Sequence, residues 1–221
     1  MENQDKKAPL SVEMYLRKTF KGILDTMGTA VNKTGILPNT VTILGLVGNA
    51  LGAYLLATGH ISMGGLVILV MGPVDALDGT MARLRGEQTE FGAFVDSVTD
   101  RYSELVILAG LMIHYLIQQN YLAVGLVYFA AAGSVMVSYV KARAEGLGFT
   151  AKVGILTRVE RYLILAPALL LNIPMVALWI IAVLANFTAL QRIYFVRKQA
   201  YEQKKALSYK KKTVKGSDST Q

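Results

Sequence analysis

Long apolar stretches, separated by short polar connections that contain glycine or proline, cover most of this 221-residue chain. A helix of about 20 apolar residues crosses the hydrocarbon core of a bilayer. We place predicted membrane spans at residues 40–58, 62–77, 91–116, 121–140, 159–171 and 174–196. The second is expected to continue as a helix past Arg83. The pattern therefore predicts an all-α integral membrane protein with six transmembrane helices.

The segment before the first span, residues 11–33, mixes apolar and basic residues at helical spacing. One side would carry Met14, Phe20, Ile23, Leu24 and Met27, and the basic residues near it are Arg17, Lys18 and Lys21. Basic side chains can reach lipid headgroups while an apolar face enters the interface. We expect an amphipathic helix lying on the membrane. The alternative is an ordinary helix packed on the rest of the domain.

These elements suggest three regions. Residues 1–36 form a cytoplasmic N-terminal segment with the interfacial helix, and residues 37–197 form the six-helix membrane domain. Residues 198–221 are rich in lysine and end in small polar residues. Such a composition buries little apolar surface, so we expect a basic, disordered cytoplasmic tail.

Composition and charge support a membrane location. Hydrophobic residues make up 53% of the chain, which is more than in a typical soluble domain. The formal net charge is +8, but the predicted turns at 59–61, 118–120 and 172–174 contain no lysine or arginine. By the positive-inside rule, both termini of this multi-pass protein face the cytoplasm of the cell's inner or plasma membrane. The segregation favours a membrane over a nucleic-acid partner, and the absence of cysteine excludes disulfides and thiolate metal sites.

Four aspartates stand out against this apolar background. Asp75 and Asp78 are three residues apart near the cytoplasmic end of the second span, and Asp96 and Asp100 are four apart at the start of the third. Each pair shares a helix face, and the short loop between the helices lets the pairs meet. Carboxylate oxygens suit Mg²⁺, Mn²⁺ or Ca²⁺, and two such ions assist phosphoryl-type displacement. Intramembrane acids also serve proton relays and ion pathways, so a transporter is the alternative.

Small residues accompany the aspartates. Gly79 and Ala82 follow Asp78, and Gly92 precedes Asp96 by four residues. A glycine inside a helix costs about 1 kcal/mol relative to alanine, so it requires a reason. Ligand approach is one reason, and close helix packing is the other. Arg83 could bind a phosphate or mark the membrane boundary.

A second, basic cluster is predicted on the same cytoplasmic side. Its members flank the loop between the fourth and fifth spans: Lys141, Arg143, Arg158 and Arg161, with Lys152 between them. Arg158 and Arg161 are spaced to share a helix face. Converging cations can hold a phosphate on an acceptor molecule. Positive-inside topology also explains part of the cluster.

The residues from Asp75 to Asp100 follow the pattern D-x-x-D-G-x-x-A-R-x8-G-x-x-x-D-x-x-x-D at every fixed position. This pattern resembles that of the CDP-alcohol phosphotransferase family, whose six-span layout is also similar. The resemblance implies a CDP-linked lipid substrate, displacement of CMP by an alcohol, and a homodimer. It also implies two Mg²⁺ or Mn²⁺ ions held by Asp75, Asp78, Asp96 and Asp100, with Asp100 as the general base as well. It assigns to the nucleotide site Pro38, Asn39, Thr42, Asp78, Gly79, Ala82 and Arg83.

The acceptor alcohol is suggested by three further segments. Residues 141–145, 158–161 and 96–101 resemble those of bacterial phosphatidylinositol phosphate synthases and their archaeal ether-lipid relatives. Phosphatidylglycerophosphate synthases more often read D-P-x-A-D-K in the last segment, from which this chain departs at Ser97 and Arg101. We therefore expect transfer of a phosphatidyl group from CDP-diacylglycerol to inositol phosphate. The alternative within the family uses glycerol 3-phosphate.

Overall fold

The computed structural model describes the backbone of residues 12–217 and the side chains of residues 19–205. This part of the chain is all-helical, which confirms the predicted fold class at that level. Its seven helices are α1 Val12–Lys33, α2 Pro38–Ala57, α3 Ile61–Arg85, α4 Glu90–Ile117, α5 Tyr121–Gly146, α6 Arg158–Leu170 and α7 Pro174–Ser217.

The helix ends follow from local sequence. Pro38 begins α2, where its fixed φ suits the first turn and no helical N–H is lost. Gly86 ends α3 in the left-handed conformation, with φ of 68°, which glycine adopts without steric cost. Thr89 caps α4, because its side chain accepts a hydrogen bond of 3.0 Å from the backbone N–H of Gly92. The connection between α3 and α4 is therefore short, as predicted.

Four of the described helices are long and apolar enough to cross a membrane: α2, α3, α5 and α7 as far as Lys205. Helix α4 has the length, with 28 residues, but several acidic and basic side chains lie in its first half. Helix α6 has 13 residues, or about 20 Å at 1.5 Å per residue, against a hydrocarbon core of about 30 Å. Both occupy the positions of predicted spans.

Helix α1 forms where the sequence predicts it. Phe20, Ile23 and Met27 are exposed, whereas Leu24 packs against a small core formed by buried residues of α2 and α3. The side chains of Met14, Arg17 and Lys18, which we predicted to belong to the same amphipathic surface, lie outside the described residues.

The C-terminal tail corrects one expectation. We expected disorder from residue 198, but α7 continues to Ser217. Residues 198–215 contain neither glycine nor proline and are rich in lysine, glutamine and alanine, which are good helix formers. Local helix propensity thus extends the last span past the predicted boundary at residue 197. Residues 218–221 of the predicted disordered tail lie outside the described residues.

The helices form two compact units. Of the described residues, the first contains 12–127 together with Arg158–Leu178. In it, α2 packs against α3 and α4, and α3 also packs against α1 and α6. Glycines allow these close approaches: a Cβ on Gly64 of α3 would lie 2.8 Å from the backbone oxygen of Gly52 on α2. Small residues serve this purpose where helices pack in membranes.

Of the described residues, the second unit contains Tyr128–Thr157 and 179–217. Here the loop after α5 lies along α7 and is held by side chains of that helix. Arg192 donates from Nε to the oxygen of Val153 at 2.8 Å, and the hydroxyl of Thr188 accepts from the N–H of Leu156 at 3.1 Å. Nearer the start of the loop, Gln199 pairs with Thr150. The loop therefore runs antiparallel to α7.

Candidate functional site

One face of α2 holds the first pair of aspartates. Thr42 donates from its hydroxyl to Oδ2 of Asp78 at 2.5 Å, and the N–H of Gly79 donates to Oδ1 of the same carboxylate. Asp78 is only 5% exposed. A buried carboxylate needs such donors, because an unpaired charge in an apolar environment is very costly.

The same face of α2 continues with Gly45 and Asn49, three and seven residues after Thr42. A Cβ on Gly45 would collide with Oδ1 of Asp75, so glycine is required for this carboxylate to lie against the helix. The Asn49 side chain interacts with the Asp75 carboxylate. Sequence reasoning missed both residues, although an asparagine within an apolar span was a usable signal.

Arg158, the first residue of α6, is the member of the basic cluster that contacts the aspartates. Its Nη2 lies 3.3 Å from Oδ2 of Asp75, and its Nη1 donates to Oδ2 of Asp100. The side chains of Asp75 and Asp100 are 17% and 15% exposed, whereas that of Arg158 is 41% exposed. One guanidinium thus bridges an aspartate of α3 and an aspartate of α4.

The four predicted aspartates lie close enough for their charges to interact. Asp96 acts electrostatically on Asp75, Asp78 and Asp100, and Asp75 and Asp78 also act on Asp100. Like charges at this density need a compensating cation. The structure therefore brings together the two acidic pairs whose helical spacing the sequence shows.

The donor chemistry of this cluster fits a divalent cation. Carboxylate oxygens are the hard ligands that Mg²⁺ and Mn²⁺ accept. Within residues 19–205, however, no three acidic or histidine side chains are arranged as a complete ligand set. Arg158 supplies the positive charge between Asp75 and Asp100 instead.

A second ion pair lies one helical turn away from the first. Arg161 donates from Nε and Nη2 to the two carboxylate oxygens of Glu104, at 2.5 and 2.7 Å. Glu104 follows Asp100 by four residues, and Arg161 follows Arg158 by three, so the two pairs join the same faces of α4 and α6. Arg161 is 2% exposed. Glu104 is recognisable in the sequence as an acidic residue within an apolar span, but the sequence does not indicate its partner.

Tyr162 joins α6 to α3 about two helical turns before Asp75. Its hydroxyl lies 2.9 Å from the backbone oxygens of Ile68 and of Leu69. Pro73 lies inside α3 and has no N–H to bond the oxygen four residues earlier, which is that of Leu69. Tyr162 thus satisfies the carbonyl that the proline leaves without its helical partner.

A narrow cavity of about 40 Å³ lies inside the first unit, beneath the ion pairs. Among its lining residues are Asp75, Asp100, Arg158, Asn49 and Ser103. Asn49 Oδ1 and Ser103 Oγ are buried and lack a hydrogen-bond partner. Since a water needs roughly 10–15 Å³ of such volume and several polar partners, the cavity suits two or three waters.

The predicted nucleotide residues lie at neighbouring helix ends. Pro38 and Asn39 begin α2, and Asn39 is exposed. Around Gly79 the nearest atom to an added Cβ would be Nη1 of Arg83, at 3.5 Å, which leaves room for a ligand. Arg83 is exposed and donates to the hydroxyl of Thr80 at 2.7 Å.

Two other predicted small residues have different surroundings. Ala82 is half-buried. A Cβ on Gly92 would lie 3.1 Å from the hydroxyl of Thr89, so the capping of α4 accounts for that glycine.

The remaining members of the basic cluster belong to the second unit. Lys141 and Arg143 lie near the end of α5, and Lys152 lies in the loop that follows. All three are exposed. The structure thus joins two of the predicted cations, Arg158 and Arg161, to acidic partners in the first unit.

Comparison with known proteins identifies the family of this chain. The model of the CDP-alcohol phosphatidyltransferase family matches residues 35–196, so the chain belongs to that family of transferases. The chain is 36% identical over 205 residues to a phosphatidylinositol phosphate synthase of Mycobacteroides abscessus, covering 82% of this chain and 86% of the relative. It is 34% identical over 185 residues to an archaetidylinositol phosphate synthase of Pyrococcus horikoshii, covering 83% and 96%.

The chain is also similar to solved structures. A Mycobacterium tuberculosis phosphatidylinositol phosphate synthase with CDP-DAG bound superposes with a TM-score of 0.73 at 30% identity, covering 79% of this chain and 93% of that one. The same enzyme in complex with manganese and citrate gives a TM-score of 0.75, also at 30% identity, covering 78% and 88%. With its apolar helices, this chain is a multi-pass membrane transferase of phospholipid biosynthesis.

Proposed function

We propose that the protein transfers a phosphatidyl group from CDP-diacylglycerol to inositol phosphate, giving phosphatidylinositol phosphate and CMP. The observation that carries the proposal is the meeting of four interacting aspartates with Arg158. The names of the similar proteins, and the CDP-DAG bound to one of them, point to the same reaction. In this reaction the acceptor oxygen bonds to the phosphorus that carries diacylglycerol, and the bond from that phosphorus to CMP breaks.

Asp75, Asp78, Asp96 and Asp100 are the proposed ligands of two Mg²⁺ or Mn²⁺ ions. The manganese in the Mycobacterium tuberculosis enzyme supports a divalent cation. When bound, the ions neutralise the diphosphate and the departing CMP. Thr42 and the N–H of Gly79 keep the Asp78 carboxylate oriented for this task.

The nucleotide side of the proposed site lies where α2 begins and α3 ends. Its proposed contacts are Pro38, Asn39, Thr42, Asp78, Gly79, Ala82 and Arg83. The open space around Gly79 and the exposed guanidinium of Arg83 support binding of a phosphorylated ligand. Arginine suits a diphosphate because its planar donors bind two oxygens together.

On the acceptor side, Asp100 is the proposed general base, and its carboxylate takes the proton of the acceptor hydroxyl. A base must reach that proton within hydrogen-bond distance. We propose that Lys141, Arg143, Arg158 and Arg161 attract the acceptor's phosphate. Arg158 is the most direct candidate because it is part-exposed beside Asp100. Arg161, bound to Glu104 on two oxygens, contributes charge and holds this end of α6.

The membrane arrangement of the proposal has six spans, with both termini in the cytoplasm of the inner or plasma membrane. Four helices already have the required length and apolarity, and α4 and α6 would complete the set. The exposed Phe20, Ile23 and Met27 of α1 support an interfacial position for that helix. We propose a homodimer as the assembly.

The test is CMP release by the purified protein from CDP-diacylglycerol with Mg²⁺ or Mn²⁺. Inositol 1-phosphate, glycerol 3-phosphate, free inositol and serine are offered separately. We expect release only with inositol 1-phosphate. Release with glycerol 3-phosphate would assign the alternative acceptor within the family. Absence of release with every acceptor would contradict the proposed reaction.

A further inference from the structure

The proposed general base is already engaged in the structure. Nη1 of Arg158 donates to Oδ2 of Asp100, and Nη2 of the same guanidinium reaches Oδ2 of Asp75. A carboxylate oxygen that accepts a charged hydrogen bond is less able to take a proton. Both oxygens belong to carboxylates that are proposed metal ligands, so the guanidinium would compete with a cation for them. In this arrangement Oδ2 of Asp100 is occupied by the guanidinium and is not available as a base or as a metal ligand.

Arg161 and Tyr162 hold α6 against its neighbouring helices, whereas Arg158 lies at the part-exposed start of the helix. Arg161 is clamped by Glu104 on two oxygens, and Tyr162 is bonded to the backbone of α3. Arg158 is the first residue of the helix, and its side chain is 41% exposed. Its guanidinium can therefore leave the aspartates by side-chain rotation, without displacement of the helix.

We infer that Arg158 is an exchangeable counter-ion that masks Asp75 and Asp100 until the phosphate of the acceptor draws it away. The inference rests on the proposed function and concerns the order of events at the same site. A phosphate offers a guanidinium several charged acceptor oxygens in bidentate geometry. Binding of the acceptor would then release both carboxylates for their roles as ligand and base.

Such an exchange has two consequences for specificity. Water alone cannot release Asp100, so CDP-diacylglycerol is protected from hydrolysis while no acceptor is bound. A polyol without a phosphate, such as free inositol, likewise leaves the base masked. The requirement for a phosphorylated acceptor is thereby built into the availability of Asp100 as well as into binding.

Competition between Arg158 and a divalent cation gives a direct test that needs no turnover. Mn²⁺ binding to the purified protein is measured by electron paramagnetic resonance, in the absence of donor lipid. We expect Arg158→Gln to bind Mn²⁺ about fivefold more tightly than wild type, at the low end of typical coupling because the pair is part-exposed. Lys33→Gln removes an exposed cation at the end of α1 in the same unit, and should leave the affinity unchanged.

Inositol 1-phosphate provides the second arm. It should tighten Mn²⁺ binding to wild type severalfold, whereas free inositol should not, since linkage between two ligands is reciprocal. In Arg158→Gln the effect of inositol 1-phosphate should disappear. Arg158→Lys, which keeps the charge but cannot bridge two carboxylates with one planar group, should lie between the two.

A third arm measures CMP release from CDP-diacylglycerol without any acceptor. We expect Arg158→Gln to hydrolyse the donor several times faster than wild type and Lys33→Gln. Equal Mn²⁺ affinities in wild type and Arg158→Gln, or an undiminished effect of inositol 1-phosphate in that variant, would overturn the masking role. If wild type transfers normally in that case, only the masking role fails. If wild type transfers to no acceptor, the proposed function itself fails.

Discussion

The hydroxyl of Tyr162 lies 2.9 Å from the backbone oxygen of Leu69, the carbonyl that Pro73 leaves without a helical donor. This contact joins α6 to α3 two turns before Asp75 and one turn after Arg158. We expect Tyr162→Phe to cost about 1–3 kcal/mol of stability, because a part-buried carbonyl is left unsatisfied. It should also slow transfer, because Arg158 and Asp75 lose their common support. Thermal unfolding in detergent and CMP release measure the two effects.

Tyr54→Phe is the matched control for that variant. Tyr54 lies in a membrane-length helix but is 65% exposed. Removal of its hydroxyl should change neither the melting temperature of the protein nor the rate of CMP release. Equal behaviour of the two variants would show that the carbonyl of Leu69 does not depend on Tyr162.

Gly45→Ala should displace the Asp75 carboxylate, since a Cβ at this position collides with it. We expect weaker Mn²⁺ binding and a transfer rate at least tenfold lower, because a small misplacement of a group in the site is costly to the reaction. Gly125→Ala introduces the same methyl group at a helical position with no atom within 4 Å. It should keep full activity and gain slightly in stability, by up to about 1 kcal/mol. Full activity of Gly45→Ala would mean that Asp75 does not need its present position.

Glu104→Ala should strongly destabilise the protein. It removes the carboxylate that faces the Arg161 guanidinium, which is 2% exposed, and breaking a buried pair in this way typically costs about 3–5 kcal/mol. Replacing both partners, as Glu104→Leu with Arg161→Leu, should recover much of the melting temperature because no charge remains unpaired. A double variant as unstable as the single one would show that the pair acts through something other than its buried charge.

Asp100→Asn should abolish transfer while the protein remains folded. The amide cannot accept the proton of the hydroxyl, and general-base catalysis typically contributes a factor of about 10²–10⁴. Mn²⁺ should still bind, more weakly, through the other three aspartates. The measurements are CMP release, the melting temperature and Mn²⁺ titration. Turnover at the wild-type rate would contradict the assignment of the base.

The acidic half of the site could be predicted from sequence because it depends on local geometry alone. Residues three or four apart on a helix share a face, so Asp75 with Asp78 and Asp96 with Asp100 were evident as pairs. A short loop between two helices also makes the pairs neighbours. The positions of the helices could likewise be predicted from the lengths of the apolar stretches.

The partners that join different helices could not be predicted. Which residue Arg161 or Tyr162 meets depends on how the helices are rotated and packed, and the sequence pattern does not specify this. The acceptor-binding interpretation of Arg158 therefore did not anticipate its ion pairs with Asp75 and Asp100. The helical tail was missed for another reason, since charge composition was given more weight than helix propensity.

The loop after α5 is the longest connection between the described helices, yet its backbone is hydrogen-bonded to side chains of α7 at Thr150, Val153 and Leu156. These contacts hold the loop residues in a fixed register with α7. A peptide tag or fluorescent domain inserted there would separate partners that must stay in register. Reporter insertions should therefore be made at other positions in the chain.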